Sequence, residues 1–182
     1  EALPLVGRGC DAGRALHARL ASAGRRVVVA DAVAALGRVD GHVDDLIIAR
    51  PPLHPDEQAL LDALPPGVTV HHAYGQAQVE AALVGLDAHE LRPVMAAIWR
   101  AGGRHESLAV DPVLAELAAA VLIELGLAVR DGATLVLQPG AQKRDPGESG
   151  TYAEHARRLA ECRAHLASLA RSEPALALVS SA

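Results

Sequence analysis

Phenylalanine is absent from this 182-residue chain, and the other aromatics are one Trp and two Tyr. Apolar residues nonetheless make up 51 % of it, so a core has to be assembled from Leu, Val, Ile and Ala. The length suffices for one good-sized domain or two small ones. No apolar run reaches the roughly eighteen residues of a membrane span. The longest, Leu117–Leu127, is short and broken by Glu124. The chain opens Glu1-Ala2-Leu3-Pro4, without Met and without a charged-then-apolar leader. We therefore expect an excised domain and no signal peptide. Cys10 and Cys162 are the only cysteines and lack metal-site spacing. One disulfide would be a sparse framework, so both read as reduced thiols of a cytoplasmic protein.

Catalytic signatures are missing as well. There is no Walker A sequence, no HExxH and no acid–histidine cluster of the DHH kind among the nine histidines. Ser107, Ser149 and Ser168 stand outside any nucleophile-elbow context. The adjacent His71 and His72 close a strand-like run, where neighbours point to opposite faces and cannot chelate one ion together. No metal site and no enzyme activity are expected of this stretch of chain. The formal net charge is −5, whereas a module built to grip a phosphate backbone is usually basic. Residues 1–80 hold seven basic and ten acidic side chains; residues 143–182 hold six and five. Direct DNA binding is therefore expected to be weak or absent.

What is present is an alternation of strand and helix signals. Strands are predicted at Leu3–Gly7, Arg26–Ala30, Asp45–Ala49 and Val68–His71, and helices at Asp11–Ala23, Ala32–Leu36, Pro55–Leu64 and Gln76–Leu86. Short apolar strands each followed by a helix imply a parallel, Rossmann-like α/β layer over residues 1–86, with helices flanking the sheet. After Leu86 the pattern changes. Asp87 with Glu90 resembles a capping box opening a helix that runs to Ala101, closed by Gly102-Gly103. Asp111-Pro112 opens the next helix and Gly126 ends it. Asp131-Gly132 suits a type I′ turn between two short strands. Helix, helix, hairpin is a winged-helix-like layout. A loop over 138–150 leads to an amphipathic C-terminal helix, Thr151–Arg171, with Leu159, Cys162, Leu166 and Leu169 on one face. The fold class is thus α/β, with units at 1–86 and 87–182, or both in one compact domain.

Two groups of residues could bind something. Gly7, Gly9 and Gly13 lie between a strand and a helix, and Asp31 ends the next strand. Such glycines let a backbone approach a pyrophosphate, while the acid meets a ribose hydroxyl. The spacing is GxGxxxG rather than GxGxxG, and a plain tight βα turn is the preferred explanation. A dinucleotide site is therefore the alternative reading, and no cofactor is assigned. The second group is Trp99 with Arg100 and Arg104 at the end of a helix, and Lys143 with Arg144 in the loop. A Trp near arginines can anchor a partner, although a lone Trp on an amphipathic helix is commonly core.

Glu124-Leu125-Gly126-Leu127, the Asp131-Gly132 hairpin, Lys143-Arg144-Asp145, Glu148-Ser149 and Tyr152 come in that order. Upstream stand Asp44-Asp45-Leu46 and His72-Ala73-Tyr74-Gly75. In this arrangement residues 44–160 resemble the C-terminal end of bacterial RecJ-type single-strand-specific DNA exonucleases of the DHH family. Pro146 and Gly150 depart from the family pattern, which has leucine and proline there. The resemblance implies an accessory, non-catalytic domain in recombination and repair. The manganese- or magnesium-dependent chemistry would reside in catalytic domains outside this chain. It also implies protein partners: the acidic, apolar-ended C-terminal tail of single-stranded DNA-binding protein, or a DNA helicase or translocase. Such a tail needs apolar surface beside one or two cations, one of them for its terminal carboxylate. Trp99, Arg100, Arg104, Lys143 and Arg144 are the expected contacts.

Overall fold

The computed structural model describes residues 11–30, 43–104, 108–132, 134–140, 142 and 144–171. The expected first strand at Leu3–Gly7 and the expected helix at Ala32–Leu36 lie outside them. The described residues gather into two compact units, one up to Val84 joined by residues from Glu161 onward, the other Gly85–Ala160. The sequence pattern places the whole C-terminal helix in the second unit; here its residues are shared between the two.

The first unit is a mixed α/β layer. Helix α1 (Asp11–Ser22) precedes β1 (Val27–Ala30), β2 (Asp45–Ile48), α2 (Pro55–Asp62), β3 (Thr69–His72) and α3 (Gln76–Gly85). The strands pair in parallel in the order β1-β2-β3, with Val28 opposite Leu46 and Leu46 opposite Val70. The central strand has all four residues buried, which explains its unalternating Asp-Leu-Ile-Ile sequence. Pleating puts Ala30, Leu46 and Ile48 on one face, packed with Leu61 of α2. Helix α1 lies against β1 and β2.

The second unit holds α4 (Leu91–Arg100), α5 (Pro112–Glu124) and an antiparallel hairpin of β4 (Ala128–Asp131) and β5 (Thr134–Leu137). Leu91, Val94, Met95 and Ile98 recur at helical spacing and form the buried stripe of α4. They meet Leu114, Ala118, Ala119, Val121 and Leu122 of α5. Ala118 and Ala119 have no exposed surface, so small residues let the two helices approach where a larger protein core would use an aromatic ring. Asp111 caps α5 as expected, its carboxylate accepting the N–H groups of Val113 at 2.7 Å and Leu114 at 3.3 Å.

Two local predictions need correcting. The helix expected from Asp87 is divided: Leu86–His89 forms a 3-10 turn, and α4 starts only at Leu91, with Glu90 at its N-cap and no side-chain cap bond. Pro93 is the reason. In a helix continuing from Asp87 it would lack the N–H owed to the His89 carbonyl, and its ring would clash there; in the first turn of α4 neither matters. The His89 carbonyl accepts instead from His155 Nε2 at 2.8 Å. In the hairpin, Asp131 pairs with Thr134, so Asp131 belongs to the strand and the turn begins at Gly132, φ +59°.

Helices α1, α4 and α5 end in the same way. The residue after the C-cap donates to the carbonyl three back, and the next donates to the carbonyl five back: Gly24 to Ala21 and Arg25 to Leu20, Gly102 to Trp99 and Gly103 to Ile98, Gly126 to Ile123 and Leu127 to Leu122. This is the Schellman arrangement. Such an end delivers its last residue to a fixed place: Arg25 to the Asp45 carboxylate, and Gly103 to the backbone of Leu135.

The C-terminal helix α6 (Gly150–Arg171) follows a 3-10 turn at Pro146–Glu148 in the expected loop. Asp145 caps that turn by accepting the Gly147 N–H at 3.0 Å, with Pro146 at the first position. Leu159 and Leu166 are the buried members of the expected apolar face.

Candidate functional site

The solvent side of α4 is a stripe at i, i+4, i+7 spacing. Arg92, Pro93, Ala96, Trp99 and Arg100 are all exposed, opposite the buried Leu91, Val94, Met95 and Ile98. Trp99 is 41 % exposed, because it stands four residues after Met95, at the edge of the buried stripe. Its ring is therefore divided between packing and solvent. Arg100 Nε donates to the Ala96 carbonyl at 3.1 Å and Arg104 Nε to the Ala101 carbonyl at 3.2 Å. Both cations thus sit over the carbonyl end of the helix, which favours positive charge. No carboxylate among the described residues lies within ion-pair distance of Arg100.

The expected contacts do not form a single spot. Arg144 is in the loop before α6, 3.8 Å from Glu148 in an exposed pair. Its neighbour Asp145 lies 3.9 Å from Arg92. Arg92 and Arg100 are eight positions apart on α4, about 12 Å along its axis. The loop bearing Arg144 therefore meets the start of α4, whereas Trp99, Arg100 and Arg104 mark its end. Lys143 lies outside the described residues. Sequence reasoning missed Arg92 as a member of the stripe; its i, i+4, i+7 relation to Ala96 and Trp99 was the available signal.

A polar junction of Glu124, Ser149, Thr151 and Tyr152 lies beside this stripe. Glu124, the last residue of α5, accepts from Ser149 Oγ at 2.6 Å, from the Thr151 N–H at 3.1 Å and from the Thr151 hydroxyl. Ser149 is 2 % exposed, and its own Oγ accepts the Tyr152 N–H at 3.1 Å. The last carboxylate of one helix thereby satisfies the first amides of another. Hydroxyl donation by Ser149 and then Thr151, followed by the Thr151 amide, holds the Glu124 carboxyl below its ordinary range against a small opposing burial effect. Tyr152 accepts a bond from Arg92 Nε at 2.8 Å. The guanidinium carbon also lies over the ring, 5.7 Å from its centre, so Arg92 adds a cation–π contact to the hydroxyl bond.

The first unit has a second polar cluster. Asp45, 1 % exposed at the start of β2, binds Arg25 Nε, and His71 Nε2 lies 2.8 Å from its other oxygen. Arg25 is the residue delivered by the end of α1, and His71 is two positions along β3 from the partner of Asp45. His72 points the other way and meets Tyr74 edge-on at 5.3 Å, as strand alternation requires. Burial pushes the Asp45 carboxyl up, but the bonds and charges of Arg25 and His71 outweigh it and hold the group below its ordinary range. Its contribution to stability is then present above about pH 4 and lost as pH falls through the lowered value. Asp45→Asn keeps the hydrogen-bonding shape and removes the charge. It should cost about 1 kcal/mol at pH 7 and flatten the acid limb of stability measured by urea unfolding between about pH 5 and pH 3. An unchanged acid limb would show that the cluster adds nothing.

Of the dinucleotide candidates only Gly13 is described; it is buried within α1, while Gly7, Gly9 and Asp31 lie outside the described residues. Among the described residues no group of three or more His, Cys, Asp or Glu is placed to hold a metal ion, and no helix is long and apolar enough to cross a membrane. Cys162 is half-buried on α6. No family model, curated protein or solved structure matches the chain.

Proposed function

We propose that this chain is an accessory, non-catalytic docking domain of a RecJ-like single-strand-specific exonuclease. In this reading the first unit is a Rossmann-like layer, the second is winged-helix-like, and α4 is the surface that receives a partner. The observation that carries the docking role is the half-exposed Trp99 beside Arg100 on an otherwise acidic chain. A half-exposed Trp offers a large rigid apolar area with little side-chain entropy to lose, and an adjacent arginine can hold a carboxylate in two bonds. The partner chemistry that fits is an extended, acidic peptide with an apolar end, such as the tail of single-stranded DNA-binding protein; a helicase or translocase segment of that composition would fit the same stripe. About four extended residues span the roughly 12 Å from Arg100 to Arg92, so one tail can reach both cations and the nearby Arg144. Direct phosphate gripping is disfavoured by the hairpin: Arg130, its one cation, pairs with Glu116 at 2.6 Å.

Calorimetric titration of the chain with such a peptide tests the proposal. Micromolar binding that weakens with salt is expected, and Trp99→Ala and Arg100→Glu should each weaken it by about tenfold or more, about 1.4 kcal/mol. Absence of binding at low salt would overturn it, as would full binding by both variants.

A further inference from the structure

His54 is the N-cap of α2, and its Nδ1 accepts the Asp56 N–H at 3.1 Å. That bond requires an unprotonated Nδ1, so the neutral ring carries its hydrogen on Nε2, which donates to Glu161 Oε2 at 3.0 Å. The Asp56 carboxylate lies 3.2 Å from the same Nδ1, an attraction that acts only once a second proton has ended the cap. Four residues after Glu161, on the same side of α6, stands His165, whose Nε2 is buried with no hydrogen-bond partner among the described residues. Burial lowers the pKa of His165, His54 lowers it further, and Glu57 opposes.

We propose that His54, Glu161 and His165 form a proton-operated latch that holds residues 161–171 of α6 on the first unit at neutral pH and releases them in mild acid. The groups that bear on it are Asp56 and Glu57 of α2, Arg50 ahead of it, and Glu161 of α6. Glu57 is committed elsewhere: it accepts the Leu53 N–H at 2.8 Å and lies 3.5 Å from Arg50. A proton on His54 costs the cap but gains attraction from Glu161 and Asp56, so that site alone would not open the contact. A proton on His165 has a smaller return, the attraction of Glu57 alone. It places charge on a half-buried ring whose Nε2 has no partner among the described residues, beside His54, whereas in the released helix the same ring is hydrated and titrates near its ordinary value of about 6.5. The released form therefore binds more protons, and its population rises as pH falls below about 6.5. His165 is the operator, and His54 with Glu161 is the catch.

Amide hydrogen exchange of the 182-residue chain, corrected for intrinsic pH dependence, reads the latch directly. Protection of residues 161–171 should fall severalfold, and at most about tenfold, between pH 7.5 and pH 5.5 while β2 amides keep theirs, since one proton taken up at an ordinary pKa of about 6.5 can shift the equilibrium no further one unit below it. His165→Leu should reduce that loss to less than about twofold; His165→Gln serves if the leucine variant does not fold. His54→Asn, which preserves a capping oxygen, should leave a loss governed by His165 alone. Constant protection in the unaltered chain overturns the latch. So does a loss shared equally by β2, which is global unfolding, or one that persists in both His165 variants.

Discussion

Replacing Gly103 with alanine should lower the stability of the second unit by about 3 kcal/mol or more. Two effects combine. Gly103 has φ +87°, a conformation that costs an L-residue about 1–2 kcal/mol. A Cβ there would also collide with the Leu135 carbonyl oxygen and approach its carbon to 3.1 Å. Both obstacles are backbone, so neither can rotate aside, and relief requires α4 and β5 to part. Gly102 provides the internal control. It has φ +64° but open space where a Cβ would stand. Gly102→Ala should therefore cost only the conformational penalty, about 1 kcal/mol. Chemical denaturation of the two variants measures the difference; equal losses would contradict the close approach of α4 to β5.

Glu124→Ala should be the next most damaging change, at about 2 kcal/mol. It removes the acceptor for two hydroxyls and one amide at the start of α6, and it leaves the buried Ser149 hydroxyl proton without its acceptor. The carboxylate faces solvent, so the figure is kept below the sum of its bonds. Because the folded-state pKa of Glu124 is lowered, this contribution is present above its unfolded value of about 4.3 and disappears as pH falls through the lowered one. A double-mutant cycle with Ser149→Ala, measured by urea unfolding at pH 7, should give coupling of about 1 kcal/mol. Additive losses would show that the two side chains act separately.

Much of the fold was legible because it rests on local chemistry. The β-branched runs at Val27–Ala30 and Asp45–Ile48 became parallel strands, Asp111-Pro112 opened α5, and Gly102 and Gly126 stopped α4 and α5. The opposed faces of His71 and His72 followed from strand geometry alone. The break before α4 was also available in principle, since Pro93 forbids the longer helix that Asp87 and Glu90 suggested. What was not legible depends on pairs far apart in sequence. Arg25, Asp45 and His71 meet only because β2 lies between β1 and β3. Glu124 reaches Ser149 only because the loop returns the chain to the end of α5. Trp99 could not be assigned to core or surface from the amphipathic pattern, because it stands at the border of the stripe and the depth of the α4–α5 contact decides the matter.

The polar junction at the start of α6 has a consequence for the docking reading. Arg92 belongs both to the exposed stripe and to that junction through Tyr152. A partner carboxylate at Arg92 would therefore compete with a bond that helps order the start of α6. At Arg100 the competing acceptor is only a helix carbonyl, which leaves the rest of the guanidinium for a ligand. In the proposed docking the end of α4 would accordingly be the anchor, and its beginning a secondary contact.

The proposed docking puts a partner on the outer face of α4. Nuclear magnetic resonance mapping of the labelled chain, titrated with an acidic, apolar-ended peptide at low salt, tests it most directly. Saturable shifts should appear at the Trp99 indole N–H and at the amides of Ala96, Trp99, Arg100 and Arg104, with smaller ones at Arg92, and should vanish in Trp99→Ala. Shifts centred on β1–β3 with α4 unmoved, or none at millimolar peptide, would contradict it.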